Sequence, residues 1–238
     1  MRRARPGRHL RLPGDRGLRL RRQSLRGARP RPGRQPIGRP GPARRRSRPP
    51  VSTSLPQVVS LRLPGWVADQ VGGAAVAGDE AKVALAIALA GGNVRHGTGG
   101  PFGAAVFDPD DRLVAAGVNL VLPQSCSVAH AEIIAFMLAQ QTTGRARLNE
   151  TGTGWTLATS AQPCCQCYGA TFWAGIDTLL IGARAEDVMA LTEFDEGPLP
   201  ADWTGELERR GIAVRRDIAR EAACAVLADY GRQGGARY

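Results

Sequence analysis

The sequence has no run of about 18 apolar residues, the length that a membrane-spanning helix needs. It also lacks the apolar stretch and the small-residue cleavage site of a secretory signal. Cysteine is scarce, with five among 238 residues, and three of the five stand at positions 164, 165 and 167. An odd number with such clustering is typical of a metal site in a reducing compartment rather than of a disulfide framework. We therefore expect a soluble, cytoplasmic protein with no membrane partner.

Charge is distributed unevenly between the first 50 residues and the remainder. Residues 1–50 contain 18 arginines, a single acid at Asp15, no lysine and no aromatic residue. The formal net charge of +11 combines about +17 in this segment with about −6 in the rest. The Arg, Pro and Gly content predicts a disordered leader over residues 1–56. The leader is either a basic arm for phosphate backbones or a translated segment without an evolved role. The lack of aromatic residues and lysine favours the second, so nucleic acid is an unlikely partner.

The rest of the chain is predicted to be a Pro- and Gly-containing connector over residues 57–78 and one catalytic domain over residues 79–238. Apolar periodicity predicts helices at 79–92, 129–141, 164–175, 185–191, 202–211 and 218–231, and strands at 102–108, 112–119, 155–160, 177–183 and 212–217. Glycines at 92 and 231 are expected to end the first and last helices. This order predicts an α/β fold, a three-layer α-β-α sandwich around a mixed five-stranded sheet.

Two short fragments contain metal-binding residue types: His-Ala-Glu at 130–132 and Pro-Cys-Cys-Gln-Cys at 163–167. One imidazole and two thiolates suit Zn²⁺, and three protein ligands leave its fourth position open for water. Cysteines three apart at a helix start lie within one turn, and the helix dipole favours their thiolates. The sequence thus predicts a catalytic zinc site formed by His130, Cys164 and Cys167, with Cys165 pointing elsewhere.

Glu132 is the predicted proton carrier. It would take a proton from water activated by the zinc and pass it to a ring nitrogen and then to the leaving amine. On a helix, residues two apart face different directions, so His130 and Glu132 can share a cavity only if they lie at the first turn. The combination H-x-E with P-C-x-x-C is the signature of zinc deaminases.

Residues 99–230 resemble the cytidine and deoxycytidylate deaminase superfamily, specifically its single-histidine branch of guanine deaminases and tRNA adenosine deaminases. The matching stretches are GGPFGAAVF, GVNLV, AHAEIIA, TSAQPCCQCYGATFWAGI and FDEGP. The last of these is closer to bacterial guanine deaminases than to the tRNA enzymes. The resemblance implies a cytidine deaminase-like fold, the same three zinc ligands, proton transfer by Glu132 and a homodimer whose pocket a neighbouring subunit completes.

The resemblance also implies two polar contacts with the substrate. Asn119, in a GxN motif, is expected to hold the edge of the base, and its alternative role is that of a turn residue. Glu196 is expected to accept the adjacent N–H donors of guanine and to take part in proton transfer. Glu193 and Asp195 are near rivals for that role.

The remaining predicted pocket residues are apolar. Phe102, beside a glycine turn, is a candidate wall for a flat ring, and Trp173 is a weaker one. Ala131, between the predicted zinc ligand and the proton carrier, is also assigned to substrate binding. The sequence departs from the family at Gln162, where Glu is usual, and at Glu193, where Gly is frequent.

The sequence therefore predicts a zinc-dependent aminohydrolase that converts guanine, or a closely related amino-purine or amino-triazine, with release of ammonia. One alternative is a tRNA adenosine or cytosine-type deaminase with the leader as an RNA arm, which the acidic charge of the remaining chain argues against. Another is a non-catalytic zinc-binding module, which would need a fourth protein ligand, and Cys126 is the only evident spare.

Overall fold

The computed structural model describes residues 57–72 and 76–236. The leader predicted over residues 1–56 therefore lies outside the described residues. Within the described stretches, no helix combines the length and the apolar character needed to cross a membrane.

A mixed sheet of five strands forms the middle layer of the described domain, with the order β2-β1-β3-β4-β5. Strand β1 is antiparallel to β2 and to β3, whereas β3, β4 and β5 run parallel. The strands are β1 Gly103–Phe107, β2 Leu113–Val118, β3 Thr156–Ala161, β4 Thr178–Ala183 and β5 Ala213–Arg215. The predicted mixed five-stranded sheet is confirmed.

Helices cover both faces of the sheet. Helices α3, α4 and α6 pack on one face around a core that includes Phe136 and Leu207, and α2, α5 and α7 pack on the other around Val83 and Leu227. The α-helices of the described stretches are α1 Trp66–Val71, α2 Asp79–Arg95, α3 Ala131–Thr143, α4 Cys165–Ala174, α5 Ala185–Thr192, α6 Trp203–Glu208 and α7 Arg220–Arg232. The three-layer α-β-α sandwich is confirmed.

Strand β1 illustrates why this sequence is buried in the middle layer. Successive side chains of a strand point to opposite faces, and here Ala104 and Val106 join the core on the α3 side. Ala105 and Phe107 join the core on the α2 side. All four are fully buried, so the strand is apolar throughout rather than alternating.

Two glycines that were predicted to end helices lie inside them instead. Helix α2 continues to Arg95, and α7 continues to Arg232. A Cβ at Gly92 would lie under 3.0 Å from the ring of Trp66, and a Cβ at Gly231 would lie under 3.0 Å from the carbonyl oxygen of Leu191. Both glycines are needed for close approach between elements, so their prediction as helix ends was wrong.

The stretch predicted as a connector packs against the domain through α1. Val67 is 2% exposed and joins a cluster with residues of α2, β2 and α3. The indole of Trp66 stacks on His96 with ring centroids 5.0 Å apart. Helix α1 is therefore anchored at the C-terminal end of α2.

Candidate metal centre and substrate cavity

The three predicted zinc ligands converge. The Nδ1 atom of His130 lies 3.5 Å from the Sγ of Cys164 and 3.6 Å from the Sγ of Cys167. The ligand atoms of all three residues lie within 4.8 Å of one another. Bond lengths of about 2.3 Å to sulfur and about 2.0 Å to nitrogen place N and S about 3.5 Å apart in a tetrahedron. The distances from the histidine nitrogen to both sulfurs thus match those around a tetrahedral zinc ion.

The starts of two helices bring these ligands together. His130 is the N-cap residue of α3 and Cys164 that of α4, and both have extended backbones. Cys167 lies in the first turn of α4 and is fully buried. Cys165, between the two ligands, is exposed and is not part of the cluster, as predicted.

Close packing of α3 on the sheet sets the distance of His130 from strand β2. Gly117 on β2 lies directly below the helix start, where an added Cβ would be 2.8 Å from the backbone nitrogen of Ala135. It would lie closer still to the carbonyl oxygen of Ala131. Glycine at this position lets the first turn of α3 rest on the strand.

Without a metal, the cluster favours the thiolate form of Cys164 and the protonated form of Cys167. A hydrogen bond from Cys167 lowers the pKa of Cys164 to about 4, with burial opposing and His130 assisting. The same pairing and burial raise the pKa of Cys167. Burial opposes protonation of His130, but hydrogen bonding to Cys164 and the charge of Glu132 raise its pKa overall. Cation binding must therefore displace protons, chiefly from Cys167.

Glu132 lies in the first turn of α3 and is 6% exposed. Because His130 precedes the helix as its cap, the two side chains reach the same cavity, which meets the geometric condition set by the sequence. Burial, together with the charge of Cys164, raises the pKa of Glu132 to about 7. Such a carboxyl group can both accept and donate a proton near neutral pH.

A cavity of about 230 Å³ opens beside the metal cluster. It is smaller than the roughly 300–1,000 Å³ of pockets that enclose drug-sized ligands, so it suits a single heterocycle. The cavity is lined by Phe102, Asn119, Ser127, His130, Glu132, Gln162, Cys164, Phe194, Asp195 and Glu196. A larger groove of about 770 Å³ lies between α1 and β2, but none of the metal-binding residues lines it. Chemistry, rather than volume, identifies the site.

The structure distinguishes the three acids of the Glu-Phe-Asp-Glu run. Glu196 is 9% exposed, and its backbone carbonyl accepts a hydrogen bond of 2.9 Å from the N–H of Cys165. Burial, aided by the charges of Cys164 and Glu132, raises the pKa of Glu196 to about 8. Glu193 is exposed at the end of α5 with φ of 64°, and Asp195 is exposed at the rim of the cavity. Glu196 is the acid buried against the cavity.

Asn119 and Phe102 also line the cavity. The Oδ1 of Asn119 accepts a hydrogen bond of 3.3 Å from the N–H of Val121, so the amide NH₂ is the group that Asn119 can offer to a ring. The ring of Phe102 lies 5.5 Å from that of Phe194, and the two aromatics form one apolar wall.

Two other candidates for the pocket lie elsewhere. Trp173 on α4 is 72% exposed and does not line the cavity. Ala131 is fully buried in the core beneath α3 and does not line the cavity either. Its assignment to substrate binding stays a prediction.

Sequence reasoning missed Ser127 and Phe194 as cavity residues. Phe194 belongs to the Phe-Asp-Glu-Gly-Pro run and could have been found from that motif, whereas Ser127 stands in a loop without a recognisable pattern. Gln162, noted only as a departure from the family, is buried, and its Oε1 accepts a hydrogen bond of 3.3 Å from the guanidinium of Arg216.

Cys126 does not act as a fourth ligand. Among the described residues, one group of side chains could hold a metal ion, and it consists of His130, Cys164 and Cys167. Cys126 instead packs against the apolar cluster that includes Val118 and Leu120. The cluster keeps a coordination position that no described protein side chain fills, which is the arrangement of catalytic zinc sites.

Comparison with known proteins gives four consistent similarities. Residues 77–183 match the model of the cytidine and deoxycytidylate deaminase zinc-binding region. The chain is 35% identical to the guanine deaminase of Bacillus subtilis (strain 168) over 127 residues, which cover 53% of this chain and 78% of that protein. A solved structure of guanine deaminase from Nitrosomonas europaea is 40% identical, covers 75% of this chain and 99% of that one, and has a TM-score of 0.70. A mutant protein solved in complex with 8-azaguanine is 41% identical, with 74% and 98% covered and a TM-score of 0.70.

Proposed function

The chain belongs to the cytidine and deoxycytidylate deaminase family, and on this premise we propose that it hydrolyses guanine to xanthine and ammonia. Like the family, it is a hydrolytic deaminase that uses zinc. A closely related amino-purine or amino-triazine is the nearest other substrate.

One observation carries the proposal: the three metal ligands, Glu132 and a second buried acid, Glu196, surround one small cavity. A structural zinc site has no need of a cavity or of two buried carboxyl groups beside its ligands. A deaminase needs all of these, because it must bind a flat ring, activate water and move protons to the leaving amine.

Zinc held by His130, Cys164 and Cys167 would lower the pKa of a water molecule and so supply a hydroxide nucleophile at neutral pH. Glu132 would receive the displaced proton and deliver it to the ring nitrogen and then to the departing amine. Its burial supports this role, since burial holds its pKa near 7. The walls of the cavity would exclude bulk water from the reacting carbon.

Recognition of guanine is supported by complementary hydrogen-bonding groups. Guanine presents a ring N–H and an exocyclic amine side by side. Hydrogen bonds from these two donors favour the ionised form of Glu196, whose pKa burial raises to about 8 in the free protein, and the resulting carboxylate can accept from both. The amide NH₂ of Asn119 can donate to a ring nitrogen or to the carbonyl oxygen. Phe102 and Phe194 can pack against the base.

The charge of the cavity argues against a tRNA substrate. No lysine or arginine is among the residues lining the cavity within the described stretches, and Asp195 stands at its rim. An enzyme that acts on RNA needs basic groups there to bind phosphates. A free base needs none.

The test is turnover by the purified, zinc-loaded protein with guanine, adenine, cytosine, an amino-triazine and tRNA as separate substrates, with ammonia and xanthine as the measured products. We expect guanine to be turned over fastest, and Glu132→Gln to lower turnover by at least about a hundredfold while zinc content is retained. Ammonia release from none of these compounds would refute the proposal, and release from tRNA alone would favour the RNA alternative.

We also propose that the protein acts as a homodimer in the cytoplasm. The exposed indole of Trp173 beside Phe172 supports association, because aromatic surfaces are enriched in protein interfaces. The free cysteines support a reducing compartment. Light scattering at micromolar concentration tests the assembly, and a monomeric mass would refute it. A fluorescent fusion found outside the cytoplasm would refute the location.

A further inference from the structure

We propose that Asn93 is a positioning residue for the substrate cavity, although it does not line the cavity itself. Its amide joins the two backbone segments that carry Phe102 and Asn119. It therefore sets the distance between the ring of Phe102 and the side-chain amide of Asn119. This inference rests on the proposed function, because it concerns how the cavity holds its substrate.

Asn93 lies on α2 and is fully buried. Its Nδ2 donates to the carbonyl oxygen of Gly100 at 2.8 Å and to that of Asn119 at 2.9 Å. Its Oδ1 accepts from the hydroxyl of Thr98 at 2.7 Å. Every polar atom of this side chain is therefore used, and none of the three contacts is with a neighbouring turn of α2.

The two carbonyls that Asn93 binds belong to the segments that contribute Phe102 and Asn119 to the cavity. The N–H of Phe102 donates to the carbonyl oxygen of Gly100 at 2.9 Å, and the N–H of Asn119 donates to that of Phe102 at 3.1 Å. Gly99 completes the arrangement, since a Cβ there would lie 2.7 Å from the Nδ2 of Asn93. The amide of Asn93 thus holds the Gly100 turn against the end of β2, and each segment delivers one residue to the cavity.

A relay from α1 fixes the orientation of this amide. The indole N–H of Trp66 donates to the hydroxyl oxygen of Thr98 at 3.1 Å, which leaves that hydroxyl to donate to the Oδ1 of Asn93. An accepted hydrogen bond at Oδ1 keeps the NH₂ group turned towards the two carbonyls. Helix α1 is therefore coupled to the cavity through Thr98 and Asn93.

The substitution Asn93→Asp tests the proposal, because it keeps the shape of the side chain and removes both donors. Two buried carbonyls near the cavity then lose a partner and repel the new carboxylate. We expect the KM for guanine to rise about tenfold while kcat changes by less than about threefold and zinc content stays unchanged. Thr98→Val should produce a smaller rise in KM, since it removes the bond that orients the amide, together with the acceptor for the indole of Trp66, but leaves both donors of Asn93 in place.

The matched control is Asn149→Asp. The Nδ2 of Asn149 donates to Asp177 at 2.8 Å, so the substitution also replaces a donor with a carboxylate beside an acceptor, but on residues that do not line the cavity. We expect Asn149→Asp to lower the melting temperature without changing KM. A readout independent of turnover is the dissociation constant of 8-azaguanine in the Glu132→Gln background, which Asn93→Asp should raise and Asn149→Asp should not.

The outcomes separate this inference from the proposed function. Wild-type turnover of guanine decides the function, and if another ring is preferred, the KM ratios are measured with that ring. Equal KM changes in Asn93→Asp and Asn149→Asp, or a fall in kcat that follows loss of zinc, would overturn the positioning role. If Asn93→Asp does not fold, Thr98→Val decides, and an unchanged KM and 8-azaguanine affinity in that variant would count against the proposal.

Discussion

Gly117→Ala should weaken zinc binding although the residue touches no ligand. The added Cβ would lie 2.8 Å from the nitrogen of Ala135 and closer than that to the carbonyl oxygen of Ala131, whereas an ordinary contact begins at 3.4 Å. Both are backbone atoms of the first turns of α3, so the clash cannot be relieved by turning a side chain. The helix start must move away from β2 by about 1 Å.

The displacement carries His130 with it, because His130 caps this helix. Zinc sites tolerate deviations of about 0.2 Å in ligand distance, so a shift several times larger must be paid for in binding energy or in strain. Residues that orient metal ligands typically change affinity by about 10- to 100-fold, which corresponds to about 1.4–2.7 kcal/mol. We expect a loss of zinc affinity in this range.

The assay is competition for zinc with a chelator of known affinity, with the melting temperature recorded in parallel. Gly231→Ala is the control, since its Cβ would also lie under 3.0 Å from a backbone carbonyl, that of Leu191, but between α5 and α7, which carry no zinc ligand. Both variants should be destabilised by about 1–3 kcal/mol, and only Gly117→Ala should lose zinc affinity. Equal zinc affinities in the two variants would refute the argument that β2 sets the position of His130.

Three further predictions concern catalysis and stability. Glu132→Gln should keep zinc, as measured by metal analysis, and lower kcat by about 10²- to 10⁴-fold, because the amide cannot carry the proton; activity within tenfold of wild type would contradict its role. Glu193→Gly should raise the free energy of unfolding by about 0.5–1 kcal/mol in denaturant titration, because φ is 64° at this exposed helix end and glycine adopts it without strain; no gain would mean that the side chain compensates for the strain. Asp187 binds Arg220, which lowers its pKa from 3.8 to about 2, so its stabilisation is present above pH 4 and is lost as pH falls through 2. The stability difference between wild type and Asp187→Asn should therefore be about 1–2 kcal/mol at pH 6, allowing for partial exposure, and should shrink towards pH 2; a constant difference would refute the linkage.

The elements of this fold were predictable wherever local patterns decide structure. Strand β1 is uniformly apolar and bounded by Gly-Pro and Asp-Pro, and α3 is an uninterrupted run of helix formers, so both could be placed from their own residues. The glycines at 92 and 231 misled the same reasoning. Glycine ends a helix when its backbone freedom is needed, but it also stands where a neighbouring element leaves no room for a Cβ, and that neighbour is distant in sequence.

The residues of the candidate site also fall into those that local sequence patterns could identify and those that they could not. The sequence was sufficient to predict the metal ligands His130, Cys164 and Cys167. Zinc is bound by a small set of residue types, and the spacing of the two cysteines places them within a single helical turn. Glu196 could not be separated from Glu193 and Asp195 by sequence, since all three are acids in one short run. The folded chain separates them, because Glu196 is buried beside the start of α4, where its backbone carbonyl accepts a hydrogen bond from the N–H of Cys165, while Glu193 and Asp195 stay exposed.

The sequence alone therefore indicated the metal ligand set, the proposed proton carrier Glu132 and the order of helices and strands from α2 onwards, because each depends on residue type and on spacing within a few positions. Tertiary structure alone decided which acid is buried, why Gly117 must be glycine and what Asn93 holds. Those properties arise from contacts between segments that are remote along the chain, and burial and backbone clearance are set only when such segments pack together.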